Sequence, residues 1–153
     1  MSRNKEPYRD YATMAFIRYA NLKCPTRKEY EESIRQDCYN RLSLHEPNFI
    51  IIKANAEVSA KEPLLKNIDA VNKVLEILTE EDKQHIIDAI EAVYFVNPVG
   101  KPKKGEISAR VRRFAMEYPA SDVSVYNWLK SARLLYAKIV GLDTVTKDYN
   151  WNW

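Results

Sequence analysis

Apolar residues recur at spacings of three and four along most of the chain, which is the pattern of one face of an α-helix. The pattern predicts helices over residues 8–22, 26–44, 63–78 and 80–95, followed by two more within residues 106–141. The first helix carries a wide apolar and aromatic stripe, formed by Tyr8, Tyr11, Ala12, Ala15, Phe16 and Tyr19. The sequence therefore predicts an all-α protein, a helical bundle that ends in a helix-turn-helix.

Residues that favour helix ends support several of these boundaries. Thr26 fits an N-cap, with Glu29 three residues later in the position of a capping box. Thr79 is followed by three acidic residues, a pattern typical of a helix start. Ser121 is placed to cap the last helix, and Gly141 to end it.

The least regular segment covers residues 45–61. It contains the β-rich apolar run Phe49–Ile52, which is too short to form a sheet by itself. We interpret the segment as a linker with an apolar anchor, and the alternative is a helix through residues 48–60. The predicted organisation is a helical segment and linker over 1–61, a helix-turn-helix domain over 62–142 and a tail over 143–153.

Charge is distributed unevenly. The chain of 153 residues has a net charge of +3, but residues 97–153 carry 10 Lys and Arg against 5 Asp and Glu. Residues 1–96 carry 14 against 16. A basic C-terminal third indicates a module that faces a polyanion, with a solvated basic surface as the alternative.

Few residues suit catalysis or metal binding. Only two cysteines (Cys24 and Cys38) and two histidines are present, and nothing near them completes a metal site. We find no nucleophile–base pair, and three glycines in the whole chain provide no phosphate loop. We therefore expect a non-enzyme without cofactors. The absence of a long apolar run predicts a cytoplasmic protein that does not enter membranes.

The stretch from Glu106 to Arg133 fits a helix-turn-helix position by position. Two steeply crossing helices need a small residue midway along the first and a branched apolar residue ten positions later, and Ala115 and Val125 supply them. Further apolar residues fall at the flanking positions: Phe114, Tyr118, Ala120 and Trp128.

One position disagrees with this pattern. The usual turn places a glycine with positive φ where this chain has Pro119. The pyrrolidine ring holds φ near −65°. We therefore expect a turn of different shape, or a first helix that ends one residue earlier.

Placing the second helix in a major groove assigns roles to its outer side. Asn127 suits adenine and Val123 a thymine methyl group, while Ser124 can donate or accept a hydrogen bond. The residues predicted to read bases are Val123, Ser124, Asn127 and Lys130. Those predicted to contact the DNA backbone are Lys101, Lys103, Lys104, Arg110, Arg112, Arg113, Ser121 and Arg133.

Residues from about Leu64 to Leu142 resemble a known arrangement. They are similar to the promoter-reading C-terminal domain of bacterial sigma factors. They resemble more closely the phage late transcription activators of the RinA/ArpU kind. The resemblance is carried by Ser121, Val125, Tyr126, Trp128, Leu129 and Ala132. It implies sequence-specific binding of double-stranded DNA and control of transcription, often from prophage or mobile-element genes of Gram-positive bacteria.

The predicted function is thus a sequence-specific double-stranded DNA-binding regulator of transcription. RNA polymerase and a second copy of the chain are further candidate partners. The alternative is a helical protein-interaction module without specific DNA binding. An exposed patch made of Tyr8, Tyr11, Phe16 and Tyr19 would favour that alternative.

Overall fold

A computed structural model of the chain describes residues 6–96 and 101–142. Within these residues the protein consists of seven α-helices and contains no strand, which confirms the prediction of an all-α bundle. The helices are α1 (Arg9–Leu22), α2 (Arg27–Arg41), α3 (Pro47–Ala60), α4 (Glu62–Glu80), α5 (Gln84–Val93), α6 (Glu106–Glu117) and α7 (Asp122–Val140). The predicted tail, residues 143–153, lies outside the described residues.

One core holds α1 and α4 to α7 together. Phe16 of α1 is fully buried, and its ring stacks on Tyr94 with 5.6 Å between centroids. Tyr136 of α7 packs against the same ring at 5.7 Å. On the inner side of α7, Val125, Leu129, Ala132 and Tyr136 are all buried. The predicted boundary between residues 61 and 62 stays a prediction, but α1 contributes to the same core as the C-terminal helices.

The aromatic stripe of α1 faces this core. Tyr8 is 7% exposed and Phe16 is 0% exposed, while Tyr11 and Tyr19 are half-buried. Tyr8 and Phe16 therefore do not contribute to an exposed patch on α1.

The interpretation of residues 45–61 as a linker is wrong, and the alternative of a helix is correct. Pro47 occupies the first turn of α3, where a missing N–H costs nothing. The Glu46 carboxylate caps the helix by accepting the N–H groups of Asn48 and Phe49, at 3.1 and 3.2 Å. Since α3 packs mainly on α2, the two form a helical hairpin beside α4.

Helix α2 is buried only in part. Cys38 is fully buried, whereas Arg41 lies on the surface and forms ion pairs with Asp37 and Glu57. These two carboxylates hold the Arg41 guanidinium at the edge of the hairpin. Neither cysteine forms a disulfide.

Two of the predicted helix starts have different outcomes. The Thr26 cap is confirmed, since its hydroxyl oxygen accepts the N–H of Glu29 at 3.1 Å. The Thr79 cap is wrong, because Thr79 lies in the last turn of α4 and its hydroxyl donates to the Leu75 carbonyl at 2.8 Å. Asp82 then takes a left-handed conformation (φ 59°), and α5 begins at residue 84.

Asp82 ends α4 in the way that glycine usually does. The N–H of Lys83 donates to the Leu78 carbonyl at 2.8 Å, and the N–H of Asp82 to the Thr79 carbonyl at 3.1 Å. These two bonds form a Schellman motif. None of the described helices has the length and apolar character needed to cross a membrane.

Candidate nucleic-acid interface

The helix-turn-helix of α6 and α7 is built around two buried residues. Ala115 in α6 is 4% exposed and Val125 in α7 is 0% exposed, as their predicted positions at the crossing require. Phe114 is also buried, and Tyr118, Ala120 and Trp128 pack against the core. This packing between α6 and α7 therefore determines which side of α7 faces solvent.

The turn that follows α6 consists of Tyr118, Pro119 and Ala120, since α6 ends at Glu117. The N–H of Ala120 donates to the Ala115 carbonyl at 3.0 Å and closes the loop after α6. Burial of Phe114 and Ala115 on one side, and of Val125 on the other, holds the turn in this form.

Ser121 caps α7, as predicted. Its hydroxyl oxygen accepts the N–H of Ser124 at 3.0 Å, and the two hydroxyl groups lie 3.0 Å apart. Ser121 is exposed, whereas Ser124 is half-buried and engaged in the cap. The cap satisfies an N–H at the first turn of α7 and leaves the outer side of the helix free.

Four exposed residues define the outer face of α7: Val123, Tyr126, Asn127 and Lys130. Val123 is 68% exposed. Neither Asn127 nor Lys130 has a side-chain hydrogen bond or ion pair with another described residue. Three of the four base-reading candidates therefore share one surface.

Tyr126 was not among the predicted site residues. It is 39% exposed, and its hydroxyl lies 3.3 Å from the Ser108 hydroxyl of α6. The signal was present in the sequence, because Tyr126 follows Val123 by three residues and precedes Lys130 by four, the spacing of one helix face. Its recognition as an outer residue required the position of α6.

Most of the predicted backbone-contacting cations are exposed. Lys101, Lys103, Lys104, Arg112 and Arg113 all lie on the surface, and none has an ion pair within residues 6–96 and 101–142. Arg112 follows Ser108 by one helical turn and so lies on the side of α6 that meets Tyr126. Arg112 is thus the α6 cation nearest in position to the outer face of α7.

Arg133 does not belong to this surface, so its predicted contact with DNA is wrong. It is 8% exposed. Its guanidinium donates to the Tyr94 hydroxyl at 2.7 Å and to the Glu6 carboxylate at 3.0 Å. Burial by itself lowers its pKa, but the hydrogen bond and charge of Glu6 raise the pKa above its ordinary value. The partner of Arg133 is 127 residues away in sequence.

Arg110 is also directed towards the protein. Its guanidinium donates to the Val93 carbonyl at the end of α5, at 2.8 Å, and lies 3.9 Å from Glu106. Its side chain is 14% exposed. Arg110 therefore ties α6 to α5, contrary to its predicted role at a DNA backbone.

Trp128 packs inside the protein, as predicted. Its ring lies 4.8 Å from His85 and 5.7 Å from Tyr118, in edge-on arrangements with both. The indole is half-buried, and it packs on the inner side of the helix-turn-helix. Among the described residues, no group of three or more His, Cys, Asp or Glu side chains is arranged to hold a metal ion.

Comparisons with known proteins returned no matching family model, no similar curated protein and no similar solved structure. Function is therefore inferred from the residues and from the geometry of α6 and α7.

Proposed function

We propose that the chain binds double-stranded DNA through the outer face of α7 and regulates transcription. The observation that carries the proposal is the combination, on one exposed side of a capped helix, of Asn127 and Lys130 with free side chains. That helix is the second of a helix-turn-helix with a buried crossing. In proteins built this way, the N-terminal residues of the second helix contact base edges in the major groove.

Each residue of the outer face has a chemical role in the proposal. Asn127 offers a donor and an acceptor that match N6 and N7 of adenine. Val123 offers an apolar surface to a thymine methyl group. Lys130 was predicted to read bases, but we assign it to a phosphate together with Arg112, because a lysine ammonium acts as a point charge. Phosphate contacts set the affinity and the register without reading sequence.

The charge of the unit supports the same proposal. Residues 101–142 contain nine Lys and Arg against three Asp and Glu. With Arg110 and Arg133 committed to the protein, seven cations remain for solvent and DNA. Asp122 stabilises the positive end of α7 but repels phosphate, so we expect a modest affinity that depends strongly on salt.

The test is a binding titration of labelled duplex DNA by fluorescence anisotropy, with a matched pair of lysine variants. Both Lys130 and Lys138 are exposed on α7, but they lie about 12 Å apart along the helix. We expect Lys130→Ala to weaken binding about tenfold and to reduce the salt dependence, while Lys138→Ala has little effect. Undetectable binding at low salt, or equal effects of the two variants, would overturn the proposal.

A second pair separates base reading from backbone contact. Asn127→Ala is expected to change which sequences are preferred, as measured by selection from a random duplex library. Lys103→Ala is expected to weaken all sequences alike. If Asn127→Ala left the selected motif intact, the assignment of α7 to the major groove would fail.

The biological setting is part of the same proposal. The resemblance of residues 64–142 to RinA/ArpU-type activators supports a regulator of phage or mobile-element genes with RNA polymerase as a partner. Genome-wide enrichment of DNA with this protein tests it, since a regulator returns a motif upstream of genes. Enrichment without any motif would contradict the claim of sequence-specific binding.

A further inference from the structure

Two hydroxyl groups meet between the solvent-facing sides of α6 and α7. The Tyr126 hydroxyl lies 3.3 Å from the Ser108 hydroxyl, and both residues are exposed. Tyr126 belongs to the outer face of α7, whereas Ser108 lies in the first turn of α6. The hydrogen bond therefore joins the two helices on the side that faces solvent, and it restrains the orientation of the phenol ring.

This pair of hydroxyl groups has one proton to spare. Whichever oxygen donates within the pair, the other hydroxyl keeps a proton that it can donate outwards. Neither hydroxyl has a second hydrogen-bond partner within residues 6–96 and 101–142. The pair of Tyr126 and Ser108 thus offers one hydrogen-bond donor to a molecule that approaches α6 and α7 from solvent.

A cation lies beside this donor. Arg112 follows Ser108 by four residues, so their Cβ atoms lie about 6 Å apart on one side of α6. Arg112 is exposed and forms no ion pair with a described residue, in contrast to Arg110, which donates to the Val93 carbonyl. A guanidinium group presents its N–H groups in a planar fork that suits the oxygens of a phosphate.

We propose that Tyr126, Ser108 and Arg112 form a binding site for one phosphate group of the DNA backbone. The spare proton of the hydroxyl pair is donated to one phosphate oxygen, and the Arg112 guanidinium donates to another. This inference rests on the proposed function, because the duplex supplies the phosphate. It adds a defined contact at the α6 edge of the outer face of α7.

The position of Tyr126 around α7 favours a phosphate over a base edge. Successive residues of a helix are about 100° apart, and the bond to Ser108 places Tyr126 on the side of the outer face that adjoins α6, while Asn127 lies farther from α6. A helix of about 10–12 Å diameter fills a major groove about 12 Å wide. Residues at the edge of its outer face therefore meet the sugar–phosphate backbone that lines the groove.

The carboxylate nearest to the site in sequence does not occupy it. Asp122 precedes Tyr126 by one helical turn and is exposed, but it forms no ion pair with Arg112. A phosphate held at this edge fixes the rotation of α7 about its own axis. The site would in this way direct Asn127 towards the base edges without itself reading sequence.

A matched pair of tyrosine variants tests the site by fluorescence anisotropy on a duplex of the preferred sequence. Tyr126→Phe keeps the ring and removes its hydroxyl, and we expect it to weaken binding about tenfold, as for a lost hydrogen bond to a charged group. Tyr39→Phe is the control, because Tyr39 is 41% exposed on α2 and is expected to have no effect. Circular dichroism checks that both variants are folded.

The failure of the site is distinguishable from the failure of the proposed function. If Lys130→Ala weakens binding and Tyr126→Phe does not, the phosphate site is wrong and the DNA-binding function stands. If the wild-type chain does not bind duplex DNA at low salt, both are wrong.

A double-variant experiment tests whether the side chains share one phosphate. Combined with Arg112→Ala, Tyr126→Phe is expected to cost less than the product of the two single effects, because the first substitution has already released the phosphate. Arg113 is the matched control, since it is exposed on α6 about 100° farther around the helix. Tyr126→Phe and Arg113→Ala are expected to multiply. Multiplication in both pairs would contradict the shared site.

Methylphosphonate substitution identifies the phosphate itself. Each phosphate of the duplex is replaced in turn by the uncharged analogue. We expect one position where the replacement weakens the wild-type chain about tenfold but weakens the variant that combines Tyr126→Phe with Arg112→Ala less than about twofold. Selection from a random duplex library is expected to return the same motif for the wild type and for Tyr126→Phe. The absence of such a position, or a changed motif, would overturn the proposal.

Discussion

The buried ion pair between Glu6 and Arg133 gives the sharpest test of how α7 is held. Both side chains are about 10% exposed, and the guanidinium also donates to Tyr94. The substitution Glu6→Gln keeps the shape of the carboxylate and removes its charge. Arg133 would then remain buried with no neutralising partner among the described residues.

The magnitude follows from this burial. Removing one partner of a buried pair costs about 3–5 kcal/mol, because the remaining charge stays desolvated. The amide oxygen of Gln still accepts one hydrogen bond, so we expect the lower end, about 3 kcal/mol. For a chain of this length that corresponds to a melting temperature roughly 6–12 °C lower.

The measurement is thermal and urea unfolding followed by circular dichroism, with Glu76→Gln as the matched control. Glu76 pairs with Lys73, and both side chains are 55% exposed. Exposed pairs contribute less than about 1 kcal/mol, so the control is expected to change little. If Glu6→Gln and Glu76→Gln cost the same, α7 would not depend on this pair. A loss of DNA binding in a Glu6→Gln chain that keeps full stability would also refute the reasoning.

Two further predictions concern the core and the cap. Burial raises the pKa of Tyr136 above 10, so the free energy of unfolding is expected to fall as pH rises above about 10, and to fall less steeply in Tyr136→Phe. An unchanged slope would mean that Tyr136 ionises freely in the folded state. Ser121→Ala is expected to cost about 1 kcal/mol through loss of the α7 cap, and no change in melting temperature would contradict that role.

Helices with a continuous apolar stripe were predictable from the sequence. In α4 and α7 the stripe repeats over five turns, so the periodicity identifies both the helix and its inner side. The crossing of α6 and α7 was predictable for a related reason. The crossing needs a small residue and, ten positions later, a branched apolar residue, which are Ala115 and Val125. The start of the second helix needs an N-cap, which is Ser121.

The helix α3 could not be derived from periodicity. Phe49 to Ile52 is a contiguous apolar run, so no single face stands out. Its helical form depends on the Glu46 cap and on packing against α2, which is tertiary information. Thr79 shows a different ambiguity. A threonine followed by acidic residues suits the start of a helix, but it is also compatible with the last turn of the preceding helix. The choice depended on whether Asp82 took a left-handed conformation.

The predicted roles of site residues failed where the residue's bonding partner is distant in sequence. Arg133 follows Ala132 on the inner side of α7, but its carboxylate partner lies near the other end of the chain. Arg110 finds its acceptor at the end of α5. Helix periodicity locates a side chain around one helix and gives no information about what covers that side. Tyr126 was missed for the same reason, since Ser108 of α6 defines its surroundings.

The position of Phe16 has a consequence for how the protein is made. Its ring is buried only when Tyr94 and Tyr136 are in place, and Tyr136 is synthesised 120 residues later. At roughly 5–20 residues per second, the apolar stripe of α1 leaves the ribosome about 6–24 s before α7 exists to cover it. During that interval the stripe lacks the cover that α7 gives it, and a product terminated before α7 is expected to expose the same stripe and to aggregate more readily than the whole chain.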